Sequence, residues 1–363
     1  MQLLRDLSLV SKDSQVSKDS QQIASQKKDH HAPGSQQDLF PVVYSTLATQ
    51  ALCSLVEEHY EIKVTNDCRF WHRGLSDVYL VETLTQHYIL RISHHHWRSQ
   101  SDIHFELSLL TFLGDHSLPI SVPLKTKANQ LCVEIHAPEG KRYAALFPFA
   151  PGAVPMGDLN LTQSFLLGQT VAQLHQKGRK FKSFVQRQPL TPNHLLDESL
   201  EKITPFLQHK TCELHYLKDA IAQIKRQINQ LPMEEPYWGI CWGDPHSGNV
   251  HFTEDNQVTL FDFDQCGYGW RAFDIGKFLQ VSLQSGLSRK VRDAFLEGYQ
   301  TVETLSELEL SSLQAFTQTA YIWSWAICLT TMQMHNYSRL DPFYFNHRLE
   351  RLKRLKSDDW QLF

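Results

Sequence analysis

The segments Trp242-Gly243-Asp244-Pro245-His246-Ser247-Gly248-Asn249 and Phe261-Asp262-Phe263-Asp264 constrain this chain more than any other part. Asn249 follows Asp244 by five positions, and Asp262 comes thirteen positions later inside an apolar run. Gly243 and Gly248 let the loop turn tightly around these polar groups. The apolar neighbours of Asp262 suggest a strand that delivers one charge into a cleft. The Asp-to-Asn spacing alone also fits a solvated turn followed by an edge strand. The second Asp, the two glycines and the layout of the remaining chain favour a functional loop.

Such a set suits phosphoryl transfer, which asks little covalent chemistry of a protein. It needs an oriented hydroxyl, a bound metal and positive charge over the phosphates. Asp244 is placed to accept the hydroxyl proton. Asn249 offers a neutral oxygen ligand and Asp262 the carboxylate that Mg2+ prefers. Composition agrees with a globular enzyme. With 363 residues, 42% of them hydrophobic, the chain can build two domains or one large two-lobed fold. A net charge of −4 speaks against bulk nucleic-acid binding. Seven cysteines without a Cys-x-x-Cys pair fit a reducing, cytoplasmic setting and argue against a zinc or disulfide framework. No signal-peptide core is expected at the N-terminus. Ala320 to Met332 is too short and too polar to span a bilayer and is expected to be a buried helix.

Residues 1–37 are rich in Ser, Gln, Lys and Asp, and Val10 to Gln15 repeats at once as Val16 to Gln21. This composition predicts a disordered tail. Residues 38–147 follow as a first lobe. It holds a helix over 48–60, strands over 67–72, 77–83 and 87–92, a helix over 99–114, and strands over 130–135 and 142–147. Residues 148–363 read as a second, mostly helical lobe, interrupted by short strands near Val250 and Leu260. The expectation is an α+β, bilobal architecture with the motifs just after the divide.

Asp244-Pro245-His246-Ser247-Gly248-Asn249-Val250, Phe261-Asp262-Phe263-Asp264 and Phe273-Asp274-Ile275-Gly276 together resemble the signature of the aminoglycoside phosphotransferase and choline kinase family. That family includes homoserine kinase-like and stress-response kinase-like members. The resemblance spans roughly residues 45 to 345. It implies a protein kinase-like fold, with a small β-rich nucleotide-binding lobe and a larger helical lobe for catalysis and substrate. It also implies use of ATP and Mg2+, with Asp244 as catalytic base and Asn249 and Asp262 as metal ligands. Trp242 stands where the family usually carries His, and Asp264 where protein kinases carry Gly.

The same resemblance assigns the remaining parts. Arg73 to Tyr79, with Gly74 and Ser76, resembles a phosphate-covering turn, although a lone Gly between strands is commonly just a turn. Arg91 closes an apolar strand where kinases place a phosphate-contacting Lys, and Arg is a chemically sound substitute. Glu106 lies on an apolar helical stripe with Ile103 and Leu110, so it calls for a partner, and Arg91 is the natural one. Phe147 and Phe149 fall in the segment Leu146 to Gly152, which resembles the hinge that receives adenine; a Pro-rich turn is equally compatible. Asp274 is expected to brace the catalytic loop, to cap the following helix, or both.

Other features were weighed against blander readings. His94-His95-His96 and His30-His31 lack a carboxylate at fixed spacing and are discounted as metal sites. Glu303, Glu307 and Glu309 fit a pocket for a cationic substrate and a helix start equally well. The basic run Arg348 to Lys356 is read as a solvated helix face. The preferred acceptor is a small-molecule hydroxyl on an amino alcohol, sugar or antibiotic, with no nucleic-acid or membrane partner. A Ser/Thr protein kinase and a catalytically weak nucleotide-binding scaffold remain as alternatives. The oligomeric state is not legible.

Overall fold

Five strands build the first half of the fold: β1 (Cys68–Arg73), β2 (Ser76–Glu82), β3 (His87–Ser93), β4 (Val133–Ala137) and β5 (Gly140–Pro148). They form one antiparallel sheet in the order β1-β2-β3-β5-β4. The computed structural model describes residues 40–65, 68–155 and 159–362. The expected tail over 1–37, its repeat and His30-His31 lie outside these residues. The described residues from Val42 onward belong to one compact unit.

Period-2 alternation places the sheet between two apolar layers. On β5, Ala144 and Leu146 join Tyr79, Leu90 and the α1 (Thr49–His59) residues Leu52 and Val56. Tyr143, Ala145 and Phe147 face the other way, into the main core with α2 (Gln100–Asp115) and its Phe105, Leu109 and Leu113. Ser99 starts α2 with a capping box: its side chain accepts from the Asp102 amide, and Asp102 accepts from the Ser99 amide.

The second half is helical. It comprises α3 (Leu161–Gly178), α4 (Glu198–Leu207), α5 (Thr211–Ile228), α6 (Arg271–Ser285), α7 (Arg289–Gln300), α8 (Glu307–His335) and α9 (Pro342–Lys356). A π turn over Asn193–Asp197 leads into α4. The tract from Ala320 lies inside α8, where Ala320, Tyr321, Ile322 and Trp325 are buried. Among the described residues no helix is long and apolar enough to cross a membrane.

Four short strands interrupt the helices: β6 (Trp238–Cys241), β7 (Val250–Phe252), β8 (Val258–Leu260) and β9 (Gly267–Trp270). β7 and β8 are the pair expected near Val250 and Leu260. The antiparallel pair β6 and β9 has no counterpart in the sequence reading. Four residues containing glycine carry too little alternation to register as strands. Asp274 is not the N-cap of its helix: α6 begins at Arg271, capped by Trp270, and Asp274 sits in its first turn. The last helix, which carries the basic run Arg348 to Lys356, starts at Pro342, because Asp341 caps it by accepting from the Tyr344 amide and Pro342 suits its first turn.

Candidate active site

Strand β6 leads directly into Trp242, Gly243 and Asp244. Gly243 has a φ of 87°, and a Cβ there would lie 2.1 Å from the Gln265 carbonyl oxygen. Only glycine fits both the turn and the close approach. Asp274 fixes the loop from below, its two carboxylate oxygens accepting from the Trp242 amide at 2.7 Å and the Gly243 amide at 2.8 Å. His175 on α3 donates from Nε2 to Asp274 at 2.8 Å and accepts from the Tyr299 hydroxyl at 2.8 Å. These three side chains are buried, so the brace is shielded from water.

Trp242, the residue in place of the family His, is fully buried. Its indole donates to the Asp262 carbonyl at 3.0 Å and stacks on Phe263. It thereby links the two motif segments by packing and one hydrogen bond.

The Asp244 carboxylate accepts from Lys277 Nζ at 3.2 Å, Gln265 Nε2 at 3.2 Å and Asn249 Nδ2 at 3.3 Å. His246 Nε2 lies 3.5 Å away. Burial alone would push the Asp244 carboxyl up, but Lys277 and His246 outweigh it and hold the group below the usual carboxylate range. Asp244 is therefore ionised and faces donors. Lys277 is itself oriented by a 2.7 Å bond to Ser324 Oγ on α8.

Asn249 ends a single 3-10 turn, Ser247–Asn249, whose start is capped by the His246 ring. Its amide nitrogen donates to the Asp244 backbone oxygen at 3.1 Å as well as to the Asp244 carboxylate. That use of the nitrogen leaves the carboxamide oxygen as the free ligand atom. Its backbone oxygen accepts from the Phe261 amide at 3.1 Å, tying the loop to the run that carries Asp262.

Asp262 has a φ of 56°, a left-handed conformation that is costly for a non-glycine residue and clusters at functional sites. About half of its side chain, 50%, is open to the cleft. Burial, together with Asp264, Asp244 and Glu106, pushes the carboxyl up to about 6 against the pull of Arg91. Arg91 grips Glu106 through two parallel bonds of 2.6 and 2.8 Å and lies 3.9 Å from Asp262. Glu106 is fully buried, so the pair is a desolvated bidentate bridge between β3 and α2.

A cavity of 640 Å3 opens between the sheet and the motif loops. Val78, Ile89, Phe147, Phe149 and Phe261 give it apolar walls, while Arg91, Asn249 and Asp262 form its polar end. The structure thus brings Arg91, Phe147, Phe149, Asn249 and Asp262 onto one surface, with Asp244 beside Asn249 and Glu106 behind Arg91. Gly74 and Ser76 stand apart from the cavity wall. They close the β1–β2 turn through a 3.0 Å bond from the Gly74 amide to the Ser76 oxygen, and Ser76 is buried.

Sequence reasoning missed the residues that set the electrostatics. Lys277 follows Asp274 by three positions on α6, one helical turn, so the motif Phe273 to Gly276 extended by one residue would have found it. Gln265, Trp97, Arg98 and Arg187 carried no such signal. Trp97 donates to the Asp264 carboxylate at 2.6 Å, Arg98 pairs with it at 3.2 Å, and Arg187 donates to its backbone oxygen. Burial would push the Asp264 carboxyl up, but Arg98, Arg187 and Arg91 hold it below the usual range. The histidine triplet has ordinary partners, with His94 beside Asp77 and His95 against the Lys141 carbonyl. Glu303 and Glu309 do not form a cation pocket: both pair with Arg271, at 2.8 and 2.6 Å.

Comparison with known proteins places this geometry among relatives. The model of the phosphotransferase enzyme family matches residues 67–310. An uncharacterized protein of Synechocystis sp. is 60% identical over 326 residues, covering 90% of each chain. Among solved structures, amicoumacin kinase hAmiN in complex with AMP-PNP, Ca2+ and Ami superposes with a TM-score of 0.71 at 21% identity, covering 84% of this chain and 92% of that one. A microcompartment-associated aminopropanol kinase gives a TM-score of 0.69 at 20% identity, covering 85% of this chain and 98% of that one. The fold is the protein kinase-like one, a five-stranded sheet joined to a helical body.

Proposed function

Because this chain belongs to the phosphotransferase enzyme family, we propose that it transfers the terminal phosphoryl group of Mg2+-ATP to a hydroxyl of a small molecule. One observation carries the reading: an ionised Asp244 stands beside a cleft whose polar end gathers Asn249, Asp262 and the Arg91–Glu106 pair. The 640 Å3 cavity has the apolar walls and single charged end that a nucleotide needs. Phe147 and Phe149 would hold the adenine, and Arg91 the phosphates. The sheet half, 38–147, is the nucleotide lobe, and 148–363 is the lobe of catalysis and acceptor. The solved relatives named above are kinases of small molecules, which supports the same class of acceptor here.

Asp244 accepts the acceptor's hydroxyl proton as its oxygen bonds to phosphorus, while the bond from phosphorus to the departing ADP breaks. Lys277, Gln265 and Asn249 keep the Asp244 carboxylate ionised and aimed. Arg91 holds positive charge over the phosphates, with Glu106 fixing its direction. Gly74 and Ser76 shape the β1–β2 turn next to Trp71 and His72, which line the cavity.

A divalent cation suits the Asn249–Asp262 corner. Both residues supply hard oxygen donors, and the Asp262 carboxyl, which burial pushes up, gains from a cation beside it. When bound, Mg2+ neutralises the phosphate oxygens during transfer. Calorimetry tests the assignment: Asp262→Ala is expected to remove the Mg2+ dependence of ATP binding. An unchanged dependence contradicts the role given to Asp262.

A further inference from the structure

On the far side of Asp244 lies a second, smaller cavity of 340 Å3. Gln265 lines this cavity and not the first, and it touches Asp244 from this side. The residue is more than nine-tenths buried; its Nε2 donates to the Asp244 carboxylate at 3.2 Å, and its Oε1 is buried with no partner among the described residues. A buried acceptor atom left open beside the base is a costly arrangement unless something donates to it.

The charge of this cavity is one-sided. Arg98, Arg187 and Lys202 line it, against the single acid Asp102. Arg98 is spent on Asp264, and Asp102 is spent on the cap of α2, where it accepts from the Ser99 amide at 3.0 Å and hydroxyl at 2.7 Å. Arg187 differs. Its guanidinium donates to the backbone oxygens of Asp102 and Asp264 and adds to the charge that holds the Asp264 carboxyl down, but it hydrogen-bonds no carboxylate among the described residues. Lys202 likewise forms no ion pair among them. Leu190, Trp323 and Ile327 add apolar lining. The acids that would suit a cationic acceptor, Glu303 and Glu309, are already neutralised by Arg271.

Resting on the phosphotransferase reading above, we propose that the acceptor is a small hydroxy compound with an anionic group, a carboxylate or a phosphate. It binds in this second cavity with its hydroxyl toward Gln265 and Asp244 and its anion on Arg187 and Lys202. Its hydroxyl oxygen bonds to the terminal phosphorus of ATP, its proton passes to Asp244, and the products are a phosphomonoester and ADP.

The test is a transfer assay with acceptors matched in length and differing in charge. 4-Hydroxybutyrate, 1,4-butanediol and 4-amino-1-butanol form one set, and glycerol 3-phosphate and glycerol the other, so that the two sets separate carboxylate from phosphate. Acidic acceptors are expected to have KM values lower than their neutral partners by about 10-fold or more, the scale of a charge-assisted bond. Arg187→Gln is expected to raise KM for the acidic acceptor by about 10-fold and to narrow that gap. Nucleotide binding measured on the same variant checks its folding. Preference for the diol, glycerol or the amine overturns the anionic class while leaving the kinase reading intact. So does an Arg187→Gln KM within about two-fold of wild type, or failure of both acids to be phosphorylated. Failure of the wild-type protein to bind Mg2+-ATP overturns both readings.

Discussion

Asp244 owes its ionised state to Lys277, which reaches it from α6 against the cost of burial. A base works only while ionised, so the acidic limb of a kcat–pH profile reports this group. Removing the neighbouring positive charge raises the carboxyl's pKa. Lys277→Met is therefore expected to move the acidic limb to higher pH as well as to slow turnover. A profile that keeps its acidic limb in place contradicts the role of Lys277. The Arg91–Glu106 pair makes a different kind of prediction. Each residue loses its purpose without the other, so the double variant should lose little more activity than either single one. Arg91→Lys should keep more activity than Arg91→Met, and additive losses on the logarithmic scale would show independent roles. At this scale the sequence revealed what sits within one loop or one helical turn. Asp244, Asn249, Asp262 and Asp274 share a short stretch with fixed spacing. Arg98 meets Asp264 across 166 positions, a closeness that only the folded chain creates.

Among the elements, the sheet carries a buried polar cluster of its own. Asp77 on β2 is fully buried and accepts from Arg142 at 2.8 Å, Arg73 at 3.0 Å and the Tyr44 hydroxyl, with His94 at 3.4 Å. Burial pushes its carboxyl up, but His94, Tyr44, Arg142 and Arg73 outweigh that and hold it well below the usual range. A carboxyl depressed in the folded state adds stability above its unfolded pKa of about 4, and that stability fades as pH falls further. Asp77→Asn is expected to cost about 3 kcal/mol at neutral pH, because it removes the nearer carboxylate from buried Arg142 and leaves it only Glu139, 3.5 Å away. The gap between variant and wild type should shrink near pH 3, where wild-type Asp77 starts to lose its advantage; denaturant unfolding at both pH values measures it. A gap that is equal at the two pH values rules this linkage out. Elements with long periodic runs were legible: β3 begins at His87 as expected, and α2 covers Gln100–Asp115 where a helix over 99–114 is expected. β6 and β9 were not, because they are held by pairing with each other and by the core, not by an apolar pattern within either.

For the molecule as a whole, the chain order already implied the layout: strands first, helices after, motifs just past the change. Pro148 and the Pro151-Gly152 pair mark that change in the sequence. The larger cleft, proposed above to take the nucleotide, is marked in the sequence at its charged end, since Arg91, Asn249 and Asp262 sit in recognisable surroundings. Its apolar walls were less so, because Val78 and Ile89 look like any buried strand residue until the cavity is assembled. The second cavity was not legible at all, being built from residues 96 to 330 that the fold gathers from five separate stretches of chain. The most direct test of the account is transfer of the labelled terminal phosphate of ATP, with Mg2+, to a hydroxyl acceptor by wild type and by Asp244→Asn. The account predicts transfer by wild type and a fall of about 100-fold or more in the variant, with ATP still bound. Transfer by the variant within a few-fold of wild type, or no transfer by wild type to any hydroxyl, would contradict it.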